Sequence, residues 1–283
     1  MAAPVATGIG SLPFRSLERA RALIARFELP WLPELPNVEP DDLLLRRPFA
    51  GLLDGSEEPR LRAGVDLESP PVFGPGLALL EAVSAPVVKV QIAGPCVLGA
   101  WVKDAKGRPL GETAEGRKRI LHRIELVAGT LLARLAARGK NALVFLDEPG
   151  LERPSSDLTE AVLRVHAAGG RVVGVHDCGP GFRHAIAAEP EVLSFDLAYF
   201  SLDRPIEEHL ARGGVLALGA VSTTREHDAA RALAALRALP ASVLARALVT
   251  PACGTALLDE ERAERVHDEA LALARALSQR TAS

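Results

Sequence analysis

The stretch KNALVFLDEPGLERPSSDLTEAVLRVHAAGGRVVGVHDCG, residues 140–179, decides the fold. An apolar run at 142–146 ends in Asp147-Glu148-Pro149. A helical period follows at 158–168, with Leu158, Val162 and Val165 at three- and four-residue steps. A second apolar run, at 171–175, ends in His176-Asp177-Cys178-Gly179. Strand, helix and strand in that order predict two parallel strands joined by a crossover helix. The polar residues then fall together, at the carboxyl ends of both strands.

The same alternation extends in both directions. Apolar runs at 5–8, 29–32, 87–92, 192–195, 215–218 and 245–249 read as further strands, making eight. A helix is expected over 113–138, opened by Thr113 as N-cap and Glu115 in its first turn. Its buried face is Ile120, Ile124, Val127, Leu131 and Leu135. Residues 225–239 and 257–277 have a similar period. Eight strand–helix units over 283 residues favour an α/β fold, a single (β/α)8 TIM barrel filling residues 1–283 as one domain. A doubly wound open sheet is the alternative. Residues 33–75, rich in proline and charge, read as a long irregular insertion after strand two, of the kind that overlies a functional face. Residues 103–112 form a second polar loop.

Composition narrows the function. Lys plus Arg number 33 and Asp plus Glu 36, a net charge of −3, so no basic excess exists to neutralise the phosphates of a nucleic acid. Hydrophobic residues make up 48% and aromatics only 4%, which predicts a full core built from Leu, Val and Ala. Three cysteines are too few for a disulfide scaffold, and a reducing cytoplasm is the expected setting. No secretory leader pattern and no run of ~18 apolar residues occurs, so neither export nor a membrane partner is expected.

Barrel chemistry sits at the carboxyl ends of the strands. Those ends carry Ile9-Gly10-Ser11, Glu34 between Pro33 and Pro36, Cys96 after Gly94-Pro95, Asp147-Glu148, His176 and Cys178, Asp196, and Cys253. The two-residue spacing of His176 and Cys178 turns both side chains to one side. With Cys253 and Asp196 they compose a tetrahedral zinc set, since borderline-soft Zn²⁺ accepts sulfur and nitrogen. The other reading makes the two cysteines small buried hydrophobes and His176 a satisfied core histidine. Cys96 reads as a packed apolar thiol. Asp147 and Glu148 point in different directions, so one can face the cavity while the other pairs with its surroundings.

Seven short motifs then occur in order: IGSLP, PELP, KVQIAGP with Trp101 following, LDEPGL, VHDCG, LSFD and TPACG. In them the chain resembles the C-terminal catalytic barrel of cobalamin-independent methionine synthase, within the wider group that includes uroporphyrinogen decarboxylase-like barrels. The resemblance implies zinc-dependent transfer of a methyl group to a thiol, with homocysteine as the acceptor. It implies Zn²⁺ on His176, Cys178, Asp196 and Cys253, with Asp147 and Glu148 as the catalytic carboxylates. It further implies substrate contacts from Asp147, Glu34, Ile9, Gly10, Ser11 and Trp101.

Two departures stand out. Asp196 is one methylene shorter than the family's usual Glu. No histidine occupies 220–224, where the family's proton-shuttling histidine should fall; Ser222 takes its place and His227 lies out of step. The family's N-terminal barrel is also missing, so the donor is expected to be a methylated corrinoid protein or a small methylated compound rather than folate alone. The rival readings are a metal-free uroporphyrinogen decarboxylase-like enzyme using Asp147, and a non-catalytic zinc or corrinoid-partner binding barrel.

Overall fold

The computed structural model describes residues 4–224 and 228–281. The chain opens with β1 (Val5–Ala6), α1 (Leu17–Ile24), a 3-10 turn at Arg47–Phe49 and α2 (Pro75–Ala82). Next come β2 (Val87–Ala93), α3 (Pro95–Trp101), α4 (Ala114–Ala136), β3 (Asn141–Asp147), α5 (Ser156–Ala167) and β4 (Val173–Asp177). The last third holds β5 (Val192–Asp196), α6 (Arg204–Ala211), β6 (Val215–Val221), α7 (Ala229–Arg237), α8 (Ala241–Leu244), β7 (Leu248–Pro251) and α9 (Glu260–Thr281). The expected helix at 225–239 begins in part outside the described residues, as does His227.

Every strand pair is parallel, and the sheet order is β1-β7-β6-β5-β4-β3-β2. The first strand thus lies beside the last and the sheet curls, with helices flanking it. Thr113 caps α4 as the sequence predicts, its Oγ1 accepting from Gly116 N at 3.0 Å. No helix among the described residues is long and apolar enough to cross a membrane.

The eight-stranded closed barrel requires correction: among the described residues seven regular strands form. Predicted strand two, at 29–32, makes only isolated bridges, Trp31 to Lys89 on one side and Ser11 to Glu34 on the other. Its backbone does reach both edges of the sheet. Lys89 N donates to Pro30 O at 2.8 Å and Leu32 N to Lys89 O at 2.8 Å, while Leu12 N donates to Glu34 O at 2.9 Å. A continuous ladder fails here for want of donors, because Pro30 and Pro33 have no N–H. Tertiary packing holds the segment instead. Trp31 is fully buried, stacks on His267 at 5.0 Å and donates from Nε1 to Gly10 O at 3.2 Å.

The insertion at 33–75 is irregular, as expected, and firmly tied down. Buried Arg47 pairs with buried Asp42 (Nε to Oδ1 2.8 Å) and donates to Pro33 O. Arg123, on the buried side of α4, donates to the carbonyls of Pro48, Leu67 and Ser69. Charged donors on backbone acceptors make stronger hydrogen bonds than neutral ones.

Candidate metal centre and its polar surroundings

β4 ends at Asp177, so His176 is its penultimate residue and Cys178 starts the loop beyond. Cys253 stands two residues past the end of β7. Although 75 residues separate the cysteines, their sulfurs lie 3.4 Å apart, and one ligand atom from each of His176, Cys178 and Cys253 lies within 4.8 Å of the others. Both cysteines are free and half-buried, whereas His176 is buried.

His176 is oriented from behind. Its Nδ1 shares a 2.9 Å hydrogen bond with Ser194 Oγ on the neighbouring β5, the buried Nε2 has no nitrogen or oxygen partner, and Cys253 is the other side chain that hydrogen-bonds to the ring. The donor set fits Zn²⁺. Two thiolates at about 2.3 Å from a tetrahedral zinc stand about 3.8 Å apart, near the separation found here, and a ring nitrogen fixed through its other nitrogen is the usual ligating histidine. The two sulfurs divide their protons unequally. Cys253 is pulled down to about 4, by the neighbouring Cys178 thiol and then by His176, against the cost of burial. Cys178 is driven up by the same sulfur pair and by burial. Burial opposes a charged His176, yet Cys253 and the carboxylate of Asp147 outweigh it and raise its pKa.

Asp147 sits opposite His176 in the β3–β4 ladder, buried, with no partner for Oδ1. Burial raises its pKa against the pull of His176 and Lys89. Glu34 is buried too. Its Oε2 accepts from Leu44 N at 3.1 Å, and its Oε1 is unpartnered. Burial pushes Glu34 up to about 7, with Arg47 opposing and Asp147 reinforcing. Gly10 passes close to this carboxylate at φ +28°, where a Cβ would stand 3.0 Å from Oε1. The Ile9-Gly10-Ser11 segment is stitched to the loop carrying Cys253, for Ser11 O accepts from Thr255 N (2.8 Å) and from Thr255 Oγ1 (3.0 Å). Ile9 is itself buried.

Three expected site residues are placed elsewhere. Glu148 is buried with both oxygens engaged, accepting from Cys96 N and Val97 N at 2.8 Å each, so it caps α3 rather than facing the sulfurs. Asp196 lies outside the three-residue group; its Oδ1 accepts from Ala198 N at 2.8 Å and caps the turn that follows β5. A carboxylate used as a local cap points along its own chain. Trp101 is 61% exposed at the end of α3 and lines a cavity of about 1010 Å³ shared with Cys96, Arg117, Glu148 and Asp157; none of the three clustered residues lines it. Cys96 packs against the core, as expected, and burial beside Glu148 pushes its thiol up to about 12.

Sequence reading gave no role to Lys89, Gln91 or Ser194. Lys89 is fully buried, donates to Gly8 O (3.1 Å) and Gln91 Oε1 (3.3 Å), and lies over the Phe145 ring. Burial lowers it to about 8, with Asp147 and Glu34 pulling the other way. A signal was present: Lys89 and Gln91 alternate within an otherwise apolar strand, two polar side chains turned to one face.

No protein-family model matches the sequence, and no curated protein matches it either. Among solved structures the chain is similar to the "Putative Vitamin-B12 Independent Methionine Synthase" of Listeria monocytogenes, with 17% identity and a TM-score of 0.58 over 97% of this chain and 98% of that one. At that identity the likeness is one of fold. A 3-dehydroquinate dehydratase from Geobacillus kaustophilus also matches, at 10% identity and a TM-score of 0.35 over 94% of this chain and 90% of that one.

Proposed function

We propose that the chain is a zinc-dependent methyltransferase whose acceptor is the thiol of an amino acid, homocysteine by the resemblance. The observation that carries this reading is the convergence of the buried His176 ring with two sulfurs from distant strand ends. His176, Cys178 and Cys253 would hold Zn²⁺, leaving a fourth position for the substrate sulfur. Bound zinc would supply deprotonation of that thiol at neutral pH, and the thiolate is the nucleophile.

The surrounding residues do the rest. Ser194 fixes the His176 ring. Asp147 Oδ1 and Glu34 Oε1 are two buried acceptors without donors, and an ammonium group brings three N–H donors to satisfy them. Ile9, Gly10 and Ser11, tied to the Cys253 loop, would line the substrate's carboxylate end. A sulfur so held attacks the methyl carbon of the donor as the bond from donor to methyl breaks, so donor and sulfur must be positioned together. We assign the donor to methylated corrinoids or methylated folates.

The test pairs metal analysis with product detection. Protein purified without chelator should hold about one zinc and form methionine from L-homocysteine with methylcobalamin or methyltetrahydrofolate. A protein without stoichiometric metal would sink the zinc reading. Bound zinc without product from either donor would leave a binding protein.

A further inference from the structure

We propose that Cys178 and Cys253 form a reversible oxidation site, closing to a disulfide when no metal joins them and peroxide is present. The sulfurs are already 3.4 Å apart on free, half-buried cysteines. Bonded sulfurs stand about 2.05 Å apart, so closure asks each sulfur to move by less than about 1 Å. The loops are fixed. Asp177, beside Cys178, accepts from Gly179 N, Gly150 N and Leu151 N. The residues after Cys253 are tied to Ser11. Neither sulfur has another cysteine in the cluster, and Cys96 is held in the α3 corner against the core.

The chemistry balances with a peroxide as oxidant. One thiolate attacks hydrogen peroxide, giving a sulfenic acid and hydroxide. The second thiol attacks the sulfenic sulfur, its proton leaving with the displaced hydroxide as water. Two thiols and one peroxide yield one disulfide and two waters. The bond would link the ends of β4 and β7 across the intervening β5 and β6 and consume both sulfur donors of the candidate centre. The disulfide itself stands on geometry alone; its meaning as a switch for metal occupancy rests on the function proposed above.

The test is peptide mapping without reductant. Protein stripped of metal by a chelator, and a second portion reloaded with zinc, are each exposed to hydrogen peroxide, then blocked with iodoacetamide and digested. In the stripped portion a Cys178–Cys253 peptide should appear, vanish with dithiothreitol, and be absent from Cys178→Ser, with Cys96 alkylated throughout. The zinc-loaded portion should crosslink at least tenfold more slowly. Both cysteines alkylated, both oxidised to sulfinic acids without a crosslink, or a crosslink to Cys96 would overturn the proposal. Equal crosslinking in the two portions would uphold the disulfide and strike at the zinc reading instead.

Discussion

Two neighbouring regions bury ionisable groups and treat them oppositely. At the corner between β2 and β3, Glu148 gives both oxygens to the first turn of α3. At the mouth beside β4 and β7, Asp147 and Glu34 each keep one buried oxygen without a partner, close to the His176 and sulfur cluster. Adjacent residues of a single strand end, Asp147 and Glu148, thus fall on either side of the divide. Glu148 is spent on the fold, whereas Asp147 and Glu34 each retain an acceptor that a ligand can engage.

The contrast can be broken most sharply at the sulfurs. Cys253→Ala should lower zinc affinity more than about 100-fold, beyond what loss of an outer partner costs, and abolish methyl transfer. Zinc titration by a competing chelator reads this, and unchanged affinity would dissolve the candidate centre. Glu148→Ala should do the reverse. It should destabilise the fold by about 1–3 kcal/mol, since two helix N–H groups lose their acceptor, with zinc content intact. Denaturant unfolding checks it.

The same carboxyl sharpens the comparison through pH. Burial holds Glu148 at about 7 in the fold, against 4.5 for the ordinary group. The folded chain therefore keeps the proton more tightly. This contribution is complete below pH 4.5 and is lost as pH rises through 7. Unfolding of Glu148→Gln, which cannot ionise, should show a shallower fall in stability between pH 4.5 and 7 than the parent chain. Identical slopes would contradict the buried assignment.

Smaller effects lie further out. Ser194→Ala should weaken zinc binding about 10-fold by freeing the His176 ring while leaving the unfolding midpoint nearly unchanged. Asp196→Ala should leave zinc content within about twofold, because its carboxylate caps its own turn. A large loss there would restore it to the ligand set.

Much of this was legible beforehand, for reasons that differ by residue. The α4 start at Thr113 follows from local capping chemistry, and the parallel order follows from alternating apolar runs and helical periods. The 29–32 segment misled because its apolar character suits a strand while its prolines withhold the ladder donors. His176 and Cys178 were findable from their spacing at a strand end. Asp196 and Glu148 were placed by type and position, and both were claimed by nearby backbone N–H groups that a residue pattern does not show.

By itself the sequence determined the alternation of elements, the charge balance and which reactive side chains stand at strand ends, because these depend on local periodicity and composition. Tertiary structure alone decided that Cys253 meets Cys178 across two intervening strands, that buried Lys89 feels the charge of two carboxylates, and which buried atoms go without partners. Those are facts of long-range approach, set by how the sheet curls and how the helices pack, and no short stretch of chain encodes them.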